Sequence, residues 1–371
     1  MITSISRSRL VPGVFVFLGC WLFFNNQSTK AQSTSSLYFP PHPAESTDWE
    51  RLKPTDLNWD QAALQELMEW LPTQDTRAFL VLKDGKIVIE EYWGAKLTGT
   101  GGMDQNSYWY WEAAGNGISA ALMGIAQQEK LLSIKDRTQK YLGEGWSSMP
   151  LAKEKSIRLM HHLSFTTGIT DQVKNLFDFT PKSLTYQADA GQRWAYYPAT
   201  FLLLEQVLQK VTGKDQEAYF KQKIGDQIGM KGLWQKAGQT QSYYSDVRSF
   251  GRFGLLLLAK GNWAGKQIWE GSYFSEMTHS SQKSNKSFGY HFWINGQESY
   301  QLPGNPQTYS GSFIPSGPSD MYMAIGKNGQ LLMVVPSKNL VIVRMGGAPG
   351  DLPVPYLLIR QFWDRMSLVV D

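Results

Sequence analysis

The chain of 371 residues contains one cysteine, Cys20. Cys20 lies inside an N-terminal apolar run, Leu10 to Phe24. If that run is removed on export, the mature chain has no cysteine, which excludes disulfides and thiol catalysis. The run itself is fifteen residues long, short of the roughly 20 that a membrane-spanning helix needs. No internal repeat or low-complexity tract interrupts the remainder. An excess of one charge sign is also lacking. The formal charge is +4, and removing residues 1–31 deletes Arg7, Arg9 and Lys30 but no acid. That leaves 33 basic residues against 32 acidic ones, a balance without the basic footprint of a nucleic-acid binder.

The N-terminus carries an address. Arg7 and Arg9 precede the apolar run, and small residues at Thr29-Lys30-Ala31 precede a cleavage point at Gln32. This is the layout of a secretory signal peptide over residues 1–31. The alternatives are an uncleaved anchor and a lipid-bearing Cys20. The expected location is therefore secreted or periplasmic, with no stable membrane insertion after cleavage.

Hydrophobic residues make up 42% of the chain and aromatics 13%, enough for a large core. Residues 32–58, rich in Ser, Thr and Pro, read as an extended lead-in to a domain over 59–371. "WDQAALQELMEWL" (59–71) has apolar residues at helical spacing. "RAFLVLKDGKIVIEEYW" has two apolar runs around Asp84-Gly85, a hairpin signal. A helix-rich middle follows. "SFGYHFWING", "DMYMAIGKNG", "QLLMVVPS" and "NLVIVRMG" then read as strands, and "PYLLIRQFWDRM" as a closing helix. Strands at both ends with helices between imply an α/β (α+β) fold. One antiparallel sheet is built from both chain ends (about 59–110 and 285–371), flanked by helices, with a helical lobe from about 111–284.

One stretch, "YWYWEAAGNGIS" (108–119), has the form of a site. Aromatics lead through a small-residue turn into a helix expected from Ala113 to about Gln128. A turn that delivers a side chain to a helix start commonly carries a nucleophile. Here the positions hold alanine, alanine, glycine and asparagine. Glu112 beside them reads either as a replacement acid or base, or as a solvated carboxylate. Tyr108 to Trp111 either line a cleft or pack beneath the loop. His161-His162 reads as structural, because adjacent residues share no helical face and no partners stand at metal-ligand spacing. Ser280-Ser281-Gln282-Lys283 has nucleophile-and-base spacing but lies in a polar stretch, not at a helix start.

Taken together, "FLVLKDGKIVIEEYW", "GIAQQEKLLSIKDRTQKYLGEGW", "SIRLMHHLSFTTGI", "GQRWAYYPATFLLLEQVLQKVTG", "RFGLLLLAKGNW" and "DMYMAIGKNGQLLMVVPSKNLVIVRMGGAP" resemble the serine beta-lactamase and penicillin-binding-protein family. The likeness is to its class C-related esterase and amide-hydrolase branch, over about residues 78–348. It implies a beta-lactamase/transpeptidase-like fold and three catalytic boxes. In the first, Ser-x-x-Lys, a serine is activated by a lysine one turn along the helix. This sequence puts Ala113 and Asn116 there, so both reacting groups are substituted. In the second, Tyr-x-Asn, the tyrosine is kept as Tyr196 and the asparagine becomes Pro198. The third, Lys/His-x-Gly, matches Lys327-Asn328-Gly329. The resemblance implies substrate-binding roles for Asn328, Gly329 and Trp111, with Lys327 favouring an anionic group. No cofactor and no metal are implied.

The expected function is that of a secreted, nucleophile-deficient homologue acting by binding. Its candidate ligands are a cell-wall peptide, another small amide or ester, or a partner protein. One alternative is an active hydrolase using Tyr196, or water assisted by Glu112. A second is a surface-interaction protein without a small-molecule cleft.

Overall fold

Asp84 and Gly85 close the first hairpin, between β1 (Thr76–Lys83) and β2 (Lys86–Tyr92). Both have positive φ, 52° and 83°, the pairing a two-residue turn of matching twist demands. The computed structural model describes residues 37–237, 240–348, 350 and 352–370. They belong to one compact unit, residues 36–371. The signal-peptide reading, Cys20 and the Gln32 cleavage point lie outside the described residues.

The described part of the lead-in docks on that hairpin. The Tyr38 amide donates to the Asp84 carbonyl at 3.0 Å, and Trp49 Nε1 donates to the Gly85 carbonyl at 2.8 Å. A Cβ at Gly85 would fall 1.9 Å from the Tyr38 oxygen, so this contact requires glycine.

Among the described residues, further strands are β3 (Trp109–Tyr110), β4 (Gly232–Ala237), β5 (Thr240–Ser245) and β6 (Trp293–Ile294). They continue with β7 (Ser299–Leu302), β8 (Asn305–Ser310), β9 (Tyr322–Gly326), β10 (Gln330–Val335) and β11 (Leu340–Gly346). The main sheet is six-stranded in the order β2-β1-β11-β10-β9-β6, and every pairing in it is antiparallel. Both chain ends thus contribute to one sheet, joined through β1 and β11.

The principal helices are α1 (Gln61–Thr73), α2 (Asn116–Gln128), α3 (Pro198–Thr212), α4 (Val247–Leu258) and α5 (Tyr356–Val370). Alternation along the strands assigns them to faces. Leu80, Leu82, Leu332 and Val341 meet the glycines of α4 at Gly251 and Gly254. Phe79 and Met333 point the other way, to Phe362 and Trp363 of α5. Because both faces are covered, β10 and β11 are buried throughout, which explains their apolar runs Leu331–Val335 and Leu340–Val343.

Helix α2 departs from an amphipathic reading. Its apolar face was expected at Ile118, Leu122 and Ile125, yet every residue from Gly117 to Ala126 is buried. It is a central helix with its N-terminus at the site. Two other expectations change. "SFGYHFWING" yields strand only at Trp293–Ile294, because His291 takes φ 60° and Gly289 N–H folds back to the Phe292 carbonyl. The helix-rich middle also contains a small three-stranded sheet, β3-β5-β4.

Candidate functional site

The turn from β3 into α2 is a short 3-10 helix, Glu112–Gly115, which Asn116 continues as α-helix. Several contacts hold it. Trp111 N–H donates to the Tyr243 carbonyl at 2.8 Å, and Glu112 N–H donates to Ser242 Oγ at 2.9 Å. From the other side, β9 ends against it at Gly326. A Cβ there would fall 2.3 Å from the Trp111 oxygen and 3.1 Å from the Ala114 nitrogen. Glu112 itself has φ 49°, a conformation costly for a residue with a Cβ. Such strain concentrates at active sites and ligand clamps.

This turn opens on a cleft of about 570 Å³. Ala113, Asn116, Tyr196, Pro198 and Lys327 all line it. Five positions from three widely separated segments of the chain therefore meet at one depression. Pro198 is the first residue of α3, where a proline costs nothing because the N–H there has no helical partner. Tyr196 precedes it, half-buried, with its ring 4.8 Å from that of Phe165. Lys327 follows the end of β9.

Three residues expected to contact substrate are placed elsewhere. Trp111 is wholly buried; its ring stacks on Phe250 at 3.6 Å and its Nε1 donates to Ser245 Oγ at 2.8 Å. It is a core residue that supports the turn from below. Asn328 and Gly329 are not among the residues lining the cleft. The Asn328 side chain donates to Tyr110 Oη at 3.1 Å. The buried Arg344 guanidinium donates to the carbonyls of Asn328 and Gly329, at 3.2 and 2.8 Å. These two residues anchor the turn that presents Lys327.

Other sequence candidates are also structural. Ser281 Oγ donates to the Phe288 and Gly289 carbonyls, away from the cleft. His162 is fully buried between Thr138 Oγ1 at 2.9 Å and the Thr200 carbonyl at 2.7 Å, and burial lowers its pKa to about 4. No group of metal-binding side chains occurs among the described residues.

Sequence reasoning missed one wall of the cleft. Gln235, Lys236, Thr240, Gln241, Ser242 and Tyr244, on the β4–β5 hairpin, all line it. So do Asp171, Leu176, Phe177, Phe201, Leu202, Pro303, Gly304 and Pro353. The stretch from Leu233 to Ser245 shows no apolar–polar alternation, and nothing local signals that this hairpin faces Ala113.

The electrostatics limit the chemistry. Burial raises the Tyr196 hydroxyl well above its ordinary range, and the Glu112 charge raises it further. Tyr196 is therefore neutral at physiological pH, able to donate or accept a hydrogen bond but not ionised for attack. Glu112 is exposed at the mouth, yet surrounding protein raises its carboxyl pKa, partly offset by the charge of Lys327. At position 113 there is a methyl group and at 116 a neutral amide. Neither supplies a nucleophile or a base.

Comparison with known proteins agrees with the geometry. The sequence profile of the family described as Beta-lactamase matches residues 64–351, more than half of the chain. The chain belongs to the beta-lactamase family. An uncharacterized protein of Alkalihalophilus pseudofirmus is 22% identical over 302 residues, 73% of this chain and 83% of that protein. Among solved structures, a candidate 6-aminohexanoate-dimer hydrolase from Bacillus anthracis superposes with TM-score 0.64. It shares 15% identity, covering 88% of each chain. A penicillin-binding protein homolog from Caulobacter crescentus gives TM-score 0.62 at 11% identity, covering 84% of this chain and 95% of that one. At these identities the likeness is one of fold: beta-lactamase/transpeptidase-like, of a kind that hosts hydrolases.

Proposed function

We propose that this protein is a nucleophile-deficient member of the family that binds a small amide or ester ligand non-covalently in the cleft beside Ala113. One observation carries the reading. Ala113 and Asn116 line the same cleft as Tyr196, Pro198 and Lys327, so the substitutions fall where the reacting groups would have to stand. Losing a nucleophile removes the covalent route, and losing one member of a cooperating catalytic unit typically costs several orders of magnitude. A cleft of about 570 Å³ with Phe177, Phe201 and Leu202 in its walls suits a small ligand and favours binding over a scaffold-only role. With residues 1–31 proposed as an export signal, cell-wall peptides are the proposed ligand class.

A second reading is favoured by one feature, the Glu112 carboxyl beside Lys327 and Tyr196. In it, Glu112 assists direct attack by water on a bound ester. Hydrolysis of a nitrophenyl ester separates the two. Turnover no greater than that of a heat-treated control supports the binder. Turnover that is lost in Glu112→Gln supports water attack and overturns the binding-only reading.

A further inference from the structure

The cleft beside Ala113 has walls of two kinds. The β4–β5 hairpin contributes Gln235, Thr240, Gln241 and Ser242, all able to hydrogen-bond. The apolar wall has two parts: Leu176 and Phe177 from the loop before α3, and Pro198, Phe201 and Leu202 from α3 itself. Positions 198, 201 and 202 are three and four residues apart, so they share one face of that helix. The Ala199 amide donates to the Leu176 carbonyl at 2.9 Å, which ties the loop to the start of α3.

Exposure separates the two parts. Phe201 and Leu202 are 4% and 7% exposed, whereas Leu176 and Phe177 are 37% and 42% exposed. Polar groups on either side of the exposed pair hold it in place. Asn175 Oδ1 accepts from the Phe177 amide at 3.0 Å. The Asp178 carboxylate accepts from the Thr180 amide at 2.9 Å and from Ser183 Oγ at 2.6 Å. Tyr197 Oη donates to the Asp178 carbonyl at 3.3 Å. The loop is thus fixed with two adjacent apolar side chains presented to water at the cleft. Their hydration is a cost that an apolar ligand group removes, and a fixed shelf loses little entropy on binding. Two side chains fall far short of the roughly 800 Å² per partner of a stable protein interface, so the occupant is part of a small molecule.

A ligand that is apolar at one end and carries an amide or ester at the other matches a cleft with one apolar and one hydrogen-bonding wall. We infer that Leu176 and Phe177, with Pro198, form a shelf for an apolar acyl group, so that the ligand is an amide or ester of an acid larger than acetic acid. The inference rests on the binding reading above and names the ligand class more narrowly.

The test is a homologous series of uncharged probes: N-acetyl-, N-butanoyl- and N-hexanoyl-glycine methylamide. Each is titrated into the full chain and followed by NMR, with the Ala113 amide signal marking binding in the cleft. Affinity is expected to rise about four- to tenfold for each two methylenes added, the worth of a chain partly to largely buried. Leu176→Ser with Phe177→Ser is expected to cut that gain below about twofold. Both side chains are exposed, so folding should survive the change; Phe177→Ser alone serves if the pair does not fold. Leu357→Ser removes a leucine that is 54% exposed on α5 outside the cleft, and should leave the series unchanged. An equal gain in wild type and the folded shelf variants overturns the shelf. If all three probes shift Ala113 with equal affinity, the cleft reading stands and the shelf falls. If none shifts it at roughly 10 mM, both fall.

Discussion

Restoring the two missing groups asks whether the cleft is an active site lacking only its reacting atoms. The perturbation is Ala113→Ser with Asn116→Lys. Ala113 lies in the 3-10 turn and Asn116 opens α2. Side chains three apart in such a turn eclipse, so a lysine at 116 reaches a serine at 113. Ala113→Ser alone should do little, because an un-ionised hydroxyl is a weak nucleophile without a base. The pair should act as a unit. We expect the double variant to exceed the product of the single effects by at least about tenfold, a coupling of about 1.4 kcal/mol. Recovery should still fall short of a working site by roughly 100-fold, since small misplacements of reacting atoms cost that much. Adding Pro198→Asn should improve it by supplying an amide contact at the start of α3. The assay is acylation by a fluorescent beta-lactam together with nitrophenyl ester hydrolysis, after thermal melts confirm folding. Two results would refute the reasoning. A serine variant as active as the double would mean that an existing group, such as Lys327, already serves as the base. Well-folded double and triple variants with no acylation would mean that the cleft has diverged beyond its missing atoms.

Three further outcomes are expected, two from the structure and one from the sequence. Gly326→Ala places a methyl 2.3 Å from the Trp111 carbonyl oxygen, a backbone atom that cannot rotate away; it should cost about 1–3 kcal/mol in urea unfolding, and a loss below about 0.5 kcal/mol would contradict the tight packing of β9 on the turn. Burial raises the Glu205 carboxyl on α3 to about 7, with Gln241 and Lys236 lowering it only in part. The folded state then holds this proton more tightly than the unfolded one, so stability on its account is full below about pH 4.5 and falls by up to about 3 kcal/mol as pH rises to 7. Glu205→Gln should flatten that slope in melts from pH 5 to 8; an unchanged slope would contradict it. The exported protein should begin near Gln32; terminal sequencing that finds Met1 intact, or a lipid-bearing Cys20, would contradict that reading.

Much of the architecture was legible because it is written locally. Asp84-Gly85 between apolar runs specifies a hairpin, and the apolar runs at 331–335 and 340–343 specify central strands. The convergence of positions 113, 116, 196, 198 and 327 was also legible, because the spacing within each short motif survives even where its chemistry does not. What failed to show is tertiary. Alternate residues of "YWYW" take different environments: Trp109 and Trp111 are buried while Tyr108 is exposed. No local pattern says that Trp111 supports the site from the core instead of lining it. The β4–β5 wall escaped for the same reason. Its residues reach the cleft only because β5 pairs with β3, more than 130 positions away in sequence. Asn328 and Gly329 fit a short motif, but a buried arginine from β11 claims their carbonyls.

The central claim is that Ala113 leaves this cleft without a covalent route. Its most direct test is the intact mass of the wild-type protein after incubation with a beta-lactam and, separately, with a fluorophosphonate probe. The account expects the unmodified mass in both cases. A stoichiometric adduct would contradict it, and the residue carrying the adduct would identify the nucleophile.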